Sequence, residues 1–322
     1  MAKKILISLL LLSYTLNAQT AFERNREQIN NITEPNILLS LAWSNFENRR
    51  LGDALIFAQR AWQYNGSRFS EASYLMGLIY RAQNELTLAE RHLERAIDED
   101  STYLLRTKYL YALAELYLMR EEYGLYLAVL TDIERRDFDD YNFTTLRRQR
   151  EQAGQILMRE GLNRVIELYR WEVNPSLLAV EMQALAFYRM GSPAEAMQAI
   201  ENFLYAMVVK SSMLISHLQF YRPSYRFTGL EELLDMALSY HEMHQYLIES
   251  DFFRSYYFLA LSLAAVGEVG QSRVLLNRIR LRPEAGQWQI RAESQFRQPF
   301  FDEYGFYESF ERDFALILAG RR

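Results

Sequence analysis

The sequence predicts an all-α protein built as a solenoid of stacked helical hairpins, with a further helix closing its C-terminal end. Three observations carry this. Of 322 residues, half are hydrophobic and 14% aromatic while only 13 are Gly and 6 are Pro, a composition that opposes both disorder and a turn-rich β design. Small residues recur at the period of one hairpin, with Ala42, Gly77 and Ala114 spaced 35 and 37 residues apart. Pro35, Pro175, Pro193, Pro283 and Pro299 all fall between the predicted helices or in their first turns, where a missing N–H breaks no ladder.

The chain opens MAKKILISLLLLSYTLNAQT, in which Lys3 and Lys4 give a positive start, Ile5 to Leu16 an apolar run, and Leu16-Asn17-Ala18 a small-residue cleavage site. This pattern reads as a secretory signal peptide over 1–18, cut after Ala18. The apolar run of about a dozen residues is too short for a hydrocarbon core of ~30 Å, and no later run approaches the ~20 residues of a spanning helix, so a soluble exported chain is expected. Residues 19–34 form a lead segment. The absence of Cys excludes disulfides, thiolate metal sites, cysteine nucleophiles and lipid attachment at a mature N-terminal Cys. Loss of Lys3 and Lys4 takes the net charge from −5 to −7, which opposes general nucleic-acid binding, and leaves Lys108 and Lys210 as the only lysines.

Repeating units are expected over 35–210. In the first, Ala42, Ala54, Ala58 and Ala61 keep the intervals that Gly77, Ala89, Leu93 and Ala96 keep in the second. Gly77 and Ala89 fall where two antiparallel helices would cross, so that ridges sink into grooves, and Tyr80 and Leu93 fill the space beside the crossing. The third unit repeats Leu113, Ala114 and Tyr117, but Tyr126 stands in the second small position. A fourth is degenerate, echoed by Gly154, Leu157 and Gly161; the fifth restores Ala184, Phe187, Gly191, Ala196 and Ile200. Residues 211–250 break the period: SSMLISHLQF reads as helix, YRPSYRF as a connection, and GLEELLDMALSYHEMHQYL as one long amphipathic helix. A last unit over 251–286 runs through Tyr256, Ala260, Gly267, Ser272, Leu276 and Ile279 to Pro283. Over 287–322, Phe306, Phe310, Phe314 and Leu318 recur every four residues before Gly320, as in a terminal capping helix.

Gly77, Tyr80, Ala89, Leu93 and Ala96 resemble the tetratricopeptide repeat, TPR, a 34-residue helix-turn-helix unit. The resemblance covers about 35–286, with Ser101 in place of the family's proline, Pro283 about where it belongs, and the leading Trp absent. It implies a right-handed superhelix of about six units whose concave face, lined by first helices, binds a protein segment. The family's groove positions fall on Trp43 and Phe46, on Tyr74, Leu78 and Arg81, on Lys108, Tyr111 and Glu115, on Tyr188 and Arg189, and on Arg254 and Tyr257. Aromatic rings beside guanidinium groups suit peptide recognition, although Tyr also packs between stacked helices.

Catalytic signatures are lacking. There is no GxSxG, Walker or GxGxxG arrangement, and His241 and His244 share a predicted helix turn without a third ligand. No cofactor or metal is expected. The runs Glu231, Glu232, Asp235 and Asp302, Glu303, Glu308 read as solvated helix faces, and so do Arg147, Arg148 and Arg150. The expectation is a non-enzymatic exported scaffold of the bacterial envelope, periplasmic, that binds a protein or peptide and no nucleic acid. The competing reading is an accessory binding a small molecule or lipid for a periplasmic uptake system. Terminal sequencing of the native protein should give a mature chain starting near Gln19; an intact Met1 in a cytoplasmic fraction would remove the export assignment.

Overall fold

A computed structural model describes residues 31–100 and 102–318. The expected signal peptide, most of the lead segment, Ser101 and Gly320 lie outside the described residues. Among the described residues there are sixteen α-helices, one 3-10 turn and no strand. The chain forms two compact units, one ending at Tyr109 and the other beginning at Leu110.

The first unit contains α1 (Pro35–Glu47), α2 (Leu51–Tyr64), α3 (Ser70–Ala82), α4 (Leu86–Glu99) and the start of α5 (Tyr103–Met119). Consecutive helices pair, α1 with α2 and α3 with α4, while α2 also packs on α3, as a stack of hairpins requires. The small positions are the crossings. Ala42, Ala54, Ala58, Ala61, Ala89 and Ala96 are completely buried, and a Cβ added at Gly77 would lie 2.8 Å from the Leu93 side chain and 3.3 Å from the Ala89 carbonyl.

The turn between the two helices of each hairpin is equally regular. Seven positions after the small residue of the first helix, the backbone takes a positive φ at Arg49, Asn84, Glu121, Gly161, Gly191 and Gly267. In four of these turns the next N–H reaches five residues back: Arg50 to Asn45, Glu85 to Tyr80, Glu122 to Tyr117 and Glu268 to Leu263, each at 2.9 Å. This Schellman closure satisfies carbonyls that would otherwise be orphaned at the helix end, and offsets the roughly 1–2 kcal/mol that a side chain costs in the left-handed region.

The second unit comprises the remainder of α5, then α6 (Tyr123–Arg135), α7 (Asp140–Glu160), α8 (Leu162–Leu168), α9 (Leu177–Met190), α10 (Pro193–Tyr221), α11 (Leu230–Ala237), α12 (His241–Glu249), α13 (Phe252–Ala265), α14 (Val269–Arg280), α15 (Gln287–Gln295) and α16 (Glu303–Leu318). Here α6 packs directly on α9, and α7 and α8 lie along α10. The Tyr126 hydroxyl donates to the buried Met182 carbonyl of α9 at 3.1 Å, so the bulky residue in a small position serves a contact between hairpins. Of α7 only Leu146, Arg150, Ala153, Gly154 and Leu157 are buried, a single stripe at helical spacing.

Two segments differ from the sequence reading. Helix α10 starts at a capping box between Ser192 and Glu195, with Pro193 in its first turn, and runs unbroken through 211 to Tyr221. The single helix expected over 229–247 is instead α11 and α12, broken where Tyr240 stacks on Tyr221 with ring centroids 4.9 Å apart. At the C-terminus, α15 packs on α13 and α14 and covers the last hairpin, whereas α16 packs on α9.

The crossing at Gly77 generates a stability contrast. Gly77→Ala should lower stability by about 1–3 kcal/mol through overpacking against Leu93. Gly52→Ala, where no atom lies within 4 Å of the added Cβ, should raise stability by up to about 0.5–1 kcal/mol. Urea melts giving the same midpoint for both variants would place the close approach elsewhere.

Candidate functional site

In the first unit four of the expected groove residues, Trp43, Phe46, Tyr74 and Lys108, assemble into an aromatic shelf. Trp43 and Phe46, one turn apart on α1, meet edge to face at 5.9 Å, and Trp43 lies 6.2 Å from Tyr74 on α3. Tyr74 continues to Tyr109 on α5 at 4.8 Å. The Lys108 ammonium stands 4.9 Å from the Tyr74 ring centre and 5.9 Å from that of Trp43. Tyr74 and Tyr109 are buried, while Trp43, Phe46, Arg81 and Lys108 are partly exposed. Half-burial lowers the Lys108 pKa, against the pull of Glu71. The shelf therefore has a fixed base of two tyrosines and an accessible edge carrying one cation, an arrangement able to hold an aromatic or apolar side chain next to a carboxylate.

In the second unit five of the six expected groove positions are engaged by the chain's own C-terminal segment, and the sixth, Glu115, is partly exposed. Tyr111 meets Phe314 edge-on at 6.1 Å. Tyr188 stacks on Phe301 at 4.2 Å, and Arg189 forms an ion pair with Glu303. The Tyr257 hydroxyl bonds to Asp302 at 3.1 Å, and its ring lies 5.4 Å from Trp288. Arg254 is 1% exposed, with Asp313 at 2.6 Å and the Phe310 ring centre at 4.2 Å. Tyr111, Arg254 and Tyr257 are thus core, whereas Tyr188 is partly exposed and Arg189 exposed.

Arg254 belongs to a buried charge cluster that the sequence reading missed. Its guanidinium reaches Glu181 of α9 at 3.0 Å and Asp251 at 3.3 Å, and Lys210 of α10 reaches the other Glu181 oxygen at 3.0 Å. Lys210 also donates to the Ser255 hydroxyl at 2.5 Å, and Ser255 itself bonds Glu181. Burial pushes the Glu181 carboxyl up, but the charges of Lys210 and Arg254 outweigh it and hold the group at about 2. The signal was a single charge inside each of three apolar runs, LLAVEMQALAF, AMVVKSSML and FFRSYYFLAL. A lone charge that must be buried needs a partner of opposite sign.

A second polar system corrects the surface reading of Arg150. Arg150 of α7 is 4% exposed, pairs with Glu134 of α6 at 2.7 Å, and lies 3.8 Å from the Tyr205 ring centre. Gln183 of α9 donates to Glu134 at 2.9 Å and accepts from Asn202 of α10 at 3.1 Å. Arg147 and Arg148 are exposed, as expected. His241 is exposed and His244 partly so; among the described residues no group of three or more His, Cys, Asp or Glu is placed to hold a metal ion.

No protein-family model matches the chain, and no curated protein matches it significantly.

The charge cluster sets the acid stability of the second unit. Glu181 titrates lower in the folded chain than when unfolded, so its contribution is present above the usual carboxylate range and is lost as pH falls from about 4.5 toward 2. Glu181→Gln should cost about 3–5 kcal/mol at neutral pH, because Lys210 and Arg254 lose their shared counter-charge, and should flatten stability across that acid window. Thermal unfolding from pH 7 to pH 2.5 measures both effects; a small loss with an unchanged acid limb would refute the electrostatic role.

Proposed function

We propose that this protein is a non-catalytic TPR-like scaffold of the bacterial envelope, periplasmic, that holds a protein segment on the first-helix face of its N-terminal unit. The observation that carries this reading is the shelf of Trp43, Phe46 and Tyr74 with Lys108 above it. A rigid aromatic base costs little conformational entropy on binding, and its cation selects a segment with an apolar or aromatic anchor beside an acidic group. The signal-peptide pattern at Lys3 to Ala18 supports the envelope assignment. No helix among the described residues is long and apolar enough to cross a membrane.

A second reading, an accessory that binds a small molecule or lipid for a periplasmic uptake system, has one observation in its favour, a 580 Å³ cavity in the second unit. The two separate experimentally. Capture from native envelope extract, read by mass spectrometry, should recover a protein partner with the wild type and lose it about tenfold or more with Phe46→Ala and with Lys108→Glu, their melting temperatures being matched. Undiminished capture by both folded variants would remove the shelf as the binding surface.

A further inference from the structure

The cavity lies within the second unit, between α6, α7, α9 and α10, and has a volume of 580 Å³, within the usual range for small-molecule sites. Its wall is neither uniformly apolar nor self-satisfied. Arg150 lines it, 4% exposed, and only its Nη1 is paired, with Glu134. Its Nε and Nη2 are buried without a close hydrogen-bond partner, and the Tyr205 ring centre lies 3.8 Å from its Cζ. A buried guanidinium with two unused donors forgoes hydrogen-bond energy that a ligand can restore. Arg147, one turn earlier on α7, lines the same cavity, and among the described residues it has no hydrogen-bond or salt-bridge partner.

Glu201 of α10 faces these arginines. Its side chain lies over Gly154, where an added Cβ would come within 3.0 Å of the Glu201 Cγ, so the missing side chain lets the carboxyl sit inside the cavity. The Glu134 carboxylate is already occupied by Arg150 and Gln183. Arg135 at the rim is paired with Asp140. What remains unused is donor capacity on two guanidinium groups, the buried Arg150 and the exposed Arg147, with Leu127, Phe143 and Phe187 as the apolar part of the lining.

We infer that this cavity binds a small organic carboxylate, its anionic group held by Arg147 and Arg150 and its apolar body against Phe143 and Phe187. The planar fork of a guanidinium matches a carboxylate in two parallel hydrogen bonds.

Glu201 tunes the site. Burial, and next the charge of Glu151, raise its pKa to about 7, against the opposing pull of Arg147 and Arg150. The groups facing it are Arg147, Arg150 and Glu151 from α7, with Asp132, Glu134 and Arg135 on α6; α9 supplies only the uncharged Gln183 and Phe187. Protonated, Glu201 neither repels the ligand nor competes for the guanidinium groups, and it can donate to the bound carboxylate. Ionised, it does the reverse. Binding therefore takes up a proton, and affinity declines as pH rises through the neutral range.

The test titrates the full mature chain calorimetrically with benzoate and with octanoate, using benzamide and benzylamine as neutral and cationic controls. At least one carboxylate should bind saturably with a Kd below about 1 mM, about tenfold or more tighter than either control. Arg147→Gln should weaken that binding about tenfold or more with an unchanged melting temperature, since Arg147 is exposed and unpaired. Glu201→Gln should keep the affinity seen at pH 6 and abolish its decline toward pH 8. The proposal fails if neither carboxylate saturates, if benzamide binds as well as benzoate, or if Arg147→Gln leaves affinity intact. Phe46→Ala and Lys108→Glu should leave carboxylate binding unaltered, so failure here and failure of the protein-binding shelf are read separately.

Discussion

The second unit is organised around one carboxylate, Glu181. Its two oxygens take charges from different helices, Lys210 on α10 and Arg254 on α13, and Arg254 passes the connection on to Asp313 on α16. Burying these groups singly would cost several kcal/mol each, and their mutual attraction compensates only when the geometry holds. A one-residue slip of any of the four helices would turn a charge onto apolar neighbours. The cluster therefore adds little to net stability compared with an apolar core of equal volume, but it penalises every register except the one observed. The ring of aromatic contacts at Phe203, Phe258, Phe306 and Phe310 supplies the cohesion, and the charges supply the address.

The two units put comparable first-helix faces to different use. In the first, Trp43 and Phe46 remain accessible above a buried pair of tyrosines. In the second, the equivalent positions are filled by Phe301, Phe314 and Asp313 from the chain itself. A helix laid on that face by the protein's own tail is physically the same event as a partner's helix docking there, with apolar area, ring contacts and one buried ion pair contributing alike. The same residue types thus act as core or as surface depending on what covers them.

The helical hairpins were legible because their determinants are local. The small residues at Ala42, Gly77, Ala89 and Ala260 mark crossings whatever lies further away, and the six positive-φ turns keep the same offset from them even where the residue is Arg, Asn or Glu. What escaped was non-local. The spacing of Leu146, Gly154 and Leu157 puts Arg150 on the inward face of α7, but the partner that lets a charge sit there, Glu134, lies on another helix, sixteen positions earlier. Likewise Tyr111, Tyr257 and Arg254 carry the residue types of a groove, and the path of residues 287–318 over them completes their burial. The break before Tyr240 follows from its stacking on Tyr221, a contact that helical periodicity does not encode.

The docking of α16 has a temporal consequence. Asp313 and Phe314 of α16 follow all the hairpins in the sequence and so leave the ribosome after them, yet they complete the surroundings of Arg254 and Tyr111, as Phe301 just before α16 does for Tyr188. Until they emerge, a growing chain presents an apolar face with an incompletely neutralised guanidinium at its centre, the kind of surface that chaperones retain. Emergence of α16, rather than synthesis of any single hairpin, is then the step at which this unit becomes able to fold. A premature stop just upstream of Glu303 would leave a product with its hairpin helices intact but with a persistent exposed apolar surface.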